Sequence, residues 1–198
     1  MTTPDDADRH TLSTDATARA PRAPLWRVAG VFLVSVALLQ WGWTSLRGSA
    51  VERAVIDEAT VGTAVALVRR LTPDVDARAQ GARIQAPGGG IHVLNGCEGT
   101  EVLFLLWAAL LAAPLSWRWR GIGALLGALV VFALNQVRLL ALFYAYRADR
   151  SGFDLLHGLV APGVLVAAVV LFVTWVFRRD EAAASLAATR AATTSNGA

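Results

Sequence analysis

The apolar residues of this chain are gathered into four long runs, and this arrangement limits the fold more than any other feature. The runs are Val28–Leu46, Val102–Ser116, Ile122–Tyr146 and Leu159–Phe177. A helix of about 20 apolar residues spans the ~30 Å hydrocarbon core of a bilayer. The second run is slightly short unless the turn from Gly99 is included. A mean hydropathy of +0.49 agrees with the predicted class, an all-α polytopic membrane protein with about four transmembrane helices.

The region between the first two runs is the only sizeable part of the chain predicted to lie outside the bilayer. Apolar residues recur at helical spacing over Val51–Leu71, which predicts an amphipathic helix that ends at Thr72 and Pro73. Two short apolar segments, Arg83–Ala86 and Ile91–Leu94, flank a glycine-rich turn and predict a small β-hairpin. A two-stranded hairpin is marginal alone, so we expect it to pack on the helix or the membrane domain.

These elements divide the chain into five predicted regions. Both ends have polar or Ala/Thr-rich compositions without periodicity and are predicted to be disordered cytoplasmic tails. Residues 117–120 separate the second and third runs. A cleaved signal peptide is the alternative for the first run, and either interpretation sends the next segment across the membrane. The regions are 1–24 (tail), 25–46 (first transmembrane helix), 47–96 (outside helix and hairpin), 97–178 (core with the other three spans) and 179–198 (tail).

The basic residues predict the orientation in the membrane. All of them are arginines, and they flank apolar runs without forming a continuous patch, which argues against nucleic-acid binding. Positive residues favour the cytoplasmic side of short loops. The outside region 47–96 has six arginines, but acidic residues balance them. We therefore expect a plasma (inner) membrane protein with both ends inside, marked by Arg19, Arg22, Arg27, Arg118, Arg120, Arg178, Arg179 and Arg190.

This topology places three chemically notable residues at the outer interface. Cys97 precedes the second span, Arg138 lies near the outer end of the third, and His157 opens the fourth. A charge inside a span is costly and favours a functional role, although an arginine near a helix end can also extend to the headgroups. Asn135 lies one turn below Arg138 on the same face, which favours a polar face inside the bundle. His157 has an interfacial residue as its alternative role.

Cys97 is the single cysteine, so it is either a small apolar residue without chemistry or a free thiol. The N-terminus of the following helix and a guanidinium at the same depth would stabilise its thiolate. Glu98 and Glu101 would raise the thiol pKa unless they point to solvent or pair with Arg147 or Arg150. The neighbouring glycines leave room for a peptide to approach. His92 is close in sequence but secondary, and His10 lies in the predicted tail.

The combination predicts nucleophilic acyl transfer. Cys97 would attack a peptide carbonyl, His157 would carry the proton, and Arg138 would stabilise the thiolate or the oxyanion. Asn135, Glu98 and Glu101 are candidate supporting residues. The sequence contains no metal-ligand cluster and no phosphate-binding glycine loop, so we expect neither a metal nor another cofactor. A non-catalytic membrane protein, either an assembly partner or a small transporter subunit with a polar path around Arg138, is the alternative.

At these residues the sequence resembles the exosortase/archaeosortase family of membrane cysteine transpeptidases. The matching segments are Asn95–Glu101 (NGCEGTE), Asn135–Tyr144 (NQVRLLALFY) and His157, and the first of them looks most like the exosortase H subgroup. The resemblance covers about residues 90–178. It implies that Cys97, Arg138 and His157 are the catalytic residues.

The resemblance also implies the partners. The family cleaves exported proteins that end in a short motif, one transmembrane helix and an arginine-rich segment, and passes the acyl group to an unknown acceptor nucleophile. The site would face the periplasm and contact the lipid bilayer. Glu98 stands where a small polar residue is frequent in the family, and the additional N-terminal spans of larger members are missing from this sequence.

Overall fold

A computed structural model of the protein describes residues 24–94, 96–148 and 152–195. The helices are α1 (Leu25–Ser45), α2 (Ala50–Arg53), α3 (Thr63–Leu71), α4 (Thr100–Ala112), α5 (Trp117–Ala148), α6 (Phe153–Leu155) and α7 (Ala161–Ser195). π-Helical turns at Ala54–Gly62 and Leu156–Val160 join α2 to α3 and α6 to α7, and Pro73–Val75 is a 3₁₀ turn. The strands are β1 (Arg78–Gln80), β2 (Arg83–Gln85) and β3 (Ile91–His92). The predicted tail 1–24 lies outside the described residues except for Pro24.

The predicted fold class is confirmed. Among the described residues, three helices are long and apolar enough to cross a membrane, namely Leu25–Ser45, Trp117–Ala148 and the continuous segment Phe153–Thr194. The remaining predicted span is α4, an apolar helix of 13 residues. At about 1.5 Å per residue, α4 is only ~20 Å long. It packs against α1, α5 and α7 and lies at the centre of the bundle.

Small residues on α5 allow α4 to approach it closely. Gly123 and Gly127 are buried on the same face of α5. A Cβ atom at Gly123 would lie 3.3 Å from Leu110 Cδ1, and one at Gly127 would overlap Leu106. This arrangement is typical of membrane helices, where small residues permit close backbone contact. Leu106 and Leu110 thereby become buried in a core shared with α7.

Two predicted boundaries were wrong. Residues 117–120 were expected to break the helices, but they form the first turn of α5, and the break lies at 113–116 around Pro114. Proline favours an extended residue before it, and Ala113 is extended. The tail 179–198 was expected to be disordered, but α7 continues to Ser195. Its many alanines have the highest intrinsic helix propensity, although they offer no apolar periodicity.

The segment between α1 and α4 forms a helix and a three-stranded antiparallel sheet of order β1-β2-β3. The predicted hairpin corresponds to β2 and β3, which pair Ile84 with Ile91, and β1 was not predicted. The predicted amphipathic helix corresponds to Ala50–Leu71 with its π-helical middle. Ile84 and Val93 are buried with Phe143 of α5 in a single core, so the sheet is attached to the membrane domain as expected.

Two polar contacts fix the segment between α1 and α4 to α5. The hydroxyls of Thr72 and Tyr144 share a hydrogen bond of 2.8 Å. Arg147 donates to the carbonyl of Pro87 in the hairpin turn over 2.7 Å. The C-terminal part of α5 therefore holds the hairpin that leads into the Cys97 loop.

Candidate active site

The loop that carries Cys97 connects the sheet to the start of α4. Val93 N donates to Ala82 O, which extends the pairing beyond β3, and Cys97 N donates to Leu94 O over 2.9 Å. Gly99 has a φ of +86° and is the residue before α4. This conformation disfavours side-chain-bearing residues, so the glycine permits the sharp entry into the helix. Cys97 is thus held immediately before the N-terminus of α4.

Glu98 holds this loop together from inside. Its side chain is only 6% exposed. One carboxylate oxygen accepts a hydrogen bond from Gly96 N at 2.6 Å, and the other accepts from the Thr100 hydroxyl at 2.7 Å. A buried carboxylate needs such donors because removing it from water is expensive. The turn around Cys97 is therefore closed by a buried acidic side chain rather than by an ion pair.

Asn135 of α5 holds the backbone of Cys97. The Asn135 amide donates to the Cys97 carbonyl over 3.1 Å. The side chain is 1% exposed, and its Oδ1 has no hydrogen-bond partner among the described residues. A Cβ atom at Gly99 would lie 3.1 Å from Asn135 Cγ. The absence of a side chain at Gly99 is thus also what lets Asn135 reach the loop.

Arg138 lies one turn further along α5 and faces the thiol. Its Nη2 atom is 3.9 Å from Cys97 Sγ, within hydrogen-bond distance for sulfur. The Nε atom of the same guanidinium is buried without a partner among the described residues. Arg138 therefore has a further donor that makes no hydrogen bond to the protein. The structure brings Cys97, Arg138 and Asn135 together.

The electrostatic environment of Cys97 is mixed. Burial raises the pKa of the Cys97 thiol above its ordinary value, the Arg138 guanidinium lowers it, and Glu98 and then Glu101 raise it, with a net increase. Arg147 is engaged by the hairpin turn and does not neutralise either glutamate. The two carboxylates therefore oppose the thiolate, and the guanidinium is the charge that favours it.

His157 was predicted to lie at the same end of the bundle as Cys97 and Arg138, but among the described residues it does not contact them. It lies in the π-helical turn Leu156–Val160, and its ring stacks on Phe153 with centroids 5.5 Å apart. The described residues show no hydrogen bond from His157 to Cys97 or Arg138, and His157 Nδ1 is buried without a partner there. A cavity of about 160 Å³ has Arg138 on one wall and Leu156 on the other.

The remaining candidates lie at the margin of the site or outside it. Glu101 is exposed in the first turn of α4, and its carboxylate lies close to Gly96. His92 is exposed on β3 and borders an outer cleft of about 510 Å³ with Glu52 and Asp57. His10 is not among the described residues. Within the described ranges there is no group of three or more His, Cys, Asp and Glu side chains suited to a metal.

Two polar residues near the cluster were not singled out from the sequence. Thr100 donates to Glu98, and a threonine at a helix start gives no indication of such a partner. Gln136 is 4% exposed, and neither its amide oxygen nor its amide nitrogen has a partner among the described residues. An amide side chain within a membrane-spanning apolar run is unusual, and this signal could have identified Gln136 as a candidate functional residue.

Comparison with known proteins agrees with this arrangement. The chain matches the sequence model described as transmembrane exosortase over residues 25–176, which is more than half of its length. The matched range extends from the start of α1 to the inner part of α7 and contains the whole cluster around Cys97. No curated protein and no solved structure matches the chain.

Proposed function

Because the chain belongs to the transmembrane exosortase family, we propose that it is a membrane-embedded cysteine protease and transpeptidase with Cys97 as its nucleophile. The observation that carries this proposal is the contact between Arg138 Nη2 and Cys97 Sγ at 3.9 Å. A guanidinium beside a lone thiol, on a loop held by Asn135 and Glu98, is an arrangement suited to covalent acyl chemistry. The finer assignment to the exosortase H subgroup remains a prediction from the Asn95–Gly99 sequence.

The reaction begins with the sulfur of Cys97. The thiolate attacks the carbonyl carbon of the scissile peptide bond, a C–S bond forms, and the carbonyl oxygen takes the negative charge. The guanidinium of Arg138, whose Nη2 faces the thiol, and the uncapped N–H groups at the start of α4 are the proposed donors for that oxygen. When the C–N bond breaks, the nitrogen takes a proton and leaves as an amine, and a thioester remains on Cys97.

His157 is the proposed source and acceptor of that proton. Its unpartnered Nδ1 is available for proton transfer. Among the described residues His157 makes no contact with Cys97, so in this proposal the proton passes by way of the bound client. An amine acceptor or water then attacks the thioester, the C–S bond breaks, and the thiolate is regenerated.

The proposed clients are exported proteins that end in a short motif, one transmembrane helix and an arginine-rich segment. Cleavage would take place at the outer face of the plasma membrane, with both ends of the enzyme inside. The arginines of the short loops favour this orientation, and the position of Cys97 before α4 then places the thiol at the outer end of that helix.

The deciding experiment follows the processing of one epitope-tagged client. This client is an exported protein from the same organism that ends in a short motif, one transmembrane helix and an arginine-rich segment. Cys97→Ala is expected to abolish release of the client's C-terminal helix, with expression and membrane insertion unchanged. Cys97→Ser is the matched variant, because it keeps the shape of the site while weakening the nucleophile. If the helix is still removed in Cys97→Ala, the proposed enzyme activity is wrong.

A non-catalytic role is the second candidate, and one observation favours it. The buried, unpartnered amide of Gln136 lies beside Asn135 on a membrane helix, as a polar path would require. This alternative predicts that Gln136→Leu impairs release of the client's C-terminal helix while Cys97→Ala does not. The same processing assay therefore separates the catalytic role from the non-catalytic one.

A further inference from the structure

One face of the bundle carries an unfilled apolar groove between α1 and α7, with α4 as its floor. Two cavities form it, of about 290 Å³ and about 520 Å³. Both are lined by Phe32, Ala109 and Val173, one residue from each helix, so they are parts of one groove. The groove begins beside Leu25 and Phe177 and ends beside Val102, in the first turn of α4.

The groove walls repeat at the spacing of helices. On α4 the lining residues are Val102, Leu105, Ala109 and Ala112, which form one stripe at intervals of three and four. Stripes of the same spacing line it from α1 (Leu25, Val28, Ala29, Phe32) and from α7 (Val166, Val169, Val170, Val173, Phe177). Such stripes on neighbouring helices are what a further helix packs against.

The chemistry of the groove matches an apolar helix in a membrane. Its lining has no charged side chain, and the hydroxyl of Thr174 is already bonded to Val170 O at 2.8 Å. Ala29, Ala109 and Ala112 are small, and small residues let another helix backbone come close. A lipid chain would fit the polarity but would not require aligned stripes on three helices.

The described chain does not supply the occupant. α4 is too short, at 13 residues, to fill the membrane beside α1 and α7.

We propose that this groove is the docking site for the transmembrane helix of the client, and that it guides the peptide before that helix to Cys97. This proposal rests on the proposed function. The connection is geometric, because the floor of the groove is α4 and the Cys97 loop leads directly into the outer end of the same helix. A client helix seated on α4 would end near Val102, five residues after Cys97 in the chain.

Disulfide cross-linking tests the docking site without any catalytic step. Cys97→Ala removes the single cysteine and leaves a background for Ala109→Cys on the groove floor and, as the control, Leu129→Cys on the exposed side of α5. The probe is the same tagged client with single cysteines scanned along its helix. We expect Ala109→Cys to form adducts at least tenfold above the control, recurring every third or fourth client position.

Three other outcomes of the cross-linking experiment would contradict the proposed docking site. Equal adducts at both positions, adducts only between two copies of the chain, or no protein adduct at all would overturn it. Since this background is inactive, the result does not depend on whether the client is ever cleaved. In the Cys97-containing protein, Ala109→Trp should also stop processing without changing the rate of thiol alkylation, while Leu129→Trp should change neither.

Discussion

Cys97 lies in a loop where several groups act on its thiol in opposite directions. Burial and two carboxylates disfavour the thiolate of Cys97, while Arg138 favours it. A thiol with a raised pKa is mainly protonated near neutral pH but is more nucleophilic once ionised. The Arg138 guanidinium is therefore the group that offsets the effects of burial and of the two carboxylates on the Cys97 thiol pKa.

Replacing Arg138 tests its role at the thiol. Arg138→Gln should lower kcat/KM for client cleavage by about 10²–10³, since a removed oxyanion donor costs on that order. Arg138→Lys should restore the thiol pKa more than it restores cleavage, because one ammonium cannot supply the fork of N–H groups. Kinetics of client release and thiol alkylation measure both. Arg70→Gln, at an exposed arginine ending α3, is the control, and an equal loss there would contradict the role.

The glutamates give a prediction about pH. The rate of Cys97 alkylation by iodoacetamide should rise with pH, with a midpoint above the ordinary thiol pKa of about 8.5. Glu101→Gln removes a negative charge that raises this pKa, so the midpoint should fall and alkylation at pH 7.5 should become faster. Glu58→Gln, at an exposed carboxylate of the outside helix, should leave the midpoint in place. A midpoint that rises in Glu101→Gln would refute the electrostatic account.

At the scale of elements, α5 organises the molecule. Its inner half packs on α4 through Gly123 and Gly127, its middle presents Asn135 and Arg138 to the loop, and its outer end holds the hairpin through Arg147. One helix therefore contacts both the loop that carries Cys97 and the hairpin that leads into it. A change in the α4–α5 spacing should disturb the site even when it occurs far from Cys97.

The glycine seam provides a test of this dependence. A side chain at Gly127 would overlap Leu106 and approach Phe172 to 3.0 Å. Gly127→Leu should destabilise the folded protein by about 1–3 kcal/mol, since overpacking a close contact forces the helices apart. Gly121→Leu is the matched control because its Cβ meets nothing within 4 Å. Thermal unfolding in detergent compares the two, and equal midpoints would show that the contact is not tight.

The elements differ in how much of them was predictable. Apolar run length was sufficient to predict the spans, because the thickness of the bilayer fixes that length. Arginine position did not locate their ends, since Trp117–Arg120 form the first turn of α5. His157 lies in the π-helical turn Leu156–Val160. The formation of this turn depends on packing that no local sequence pattern specifies. β1 is fully exposed and has no apolar alternation, so it could not be read from its own residues. Helix length predicts one depth for Cys97 and Arg138, but the hydrogen bonds of Asn135 and Glu98 to the loop depend on how the loop folds.

For the whole molecule, the central claim is the side of the membrane on which the thiol lies. Membrane association follows from the family and the three long helices. The orientation is a prediction from the arginines of the short loops. If it is correct, the sheet and the Cys97 loop face the periplasm, while the end of α7 lies in the cytoplasm.

Thiol labelling tests this orientation. A membrane-impermeant maleimide added to intact spheroplasts should label Cys97 and should leave Cys97→Ala unlabelled. A second protein, Cys97→Ala with Ala182→Cys on the exposed inner part of α7, should be labelled only after lysis. The opposite pattern in the two proteins would reverse the topology.

The shortness of α4 has a consequence for the surrounding lipid. A helix of 13 residues covers ~20 Å, about two thirds of the hydrocarbon thickness. Where α4 is exposed to the groove, the bilayer must become thinner or polar groups must enter it, and each ångström of mismatch costs a fraction of a kcal/mol. A client helix in the groove would relieve this mismatch and restore a full-thickness wall. Lipids with longer acyl chains should therefore hold the client more tightly, so that membrane thickness sets how long a substrate stays beside the thiol.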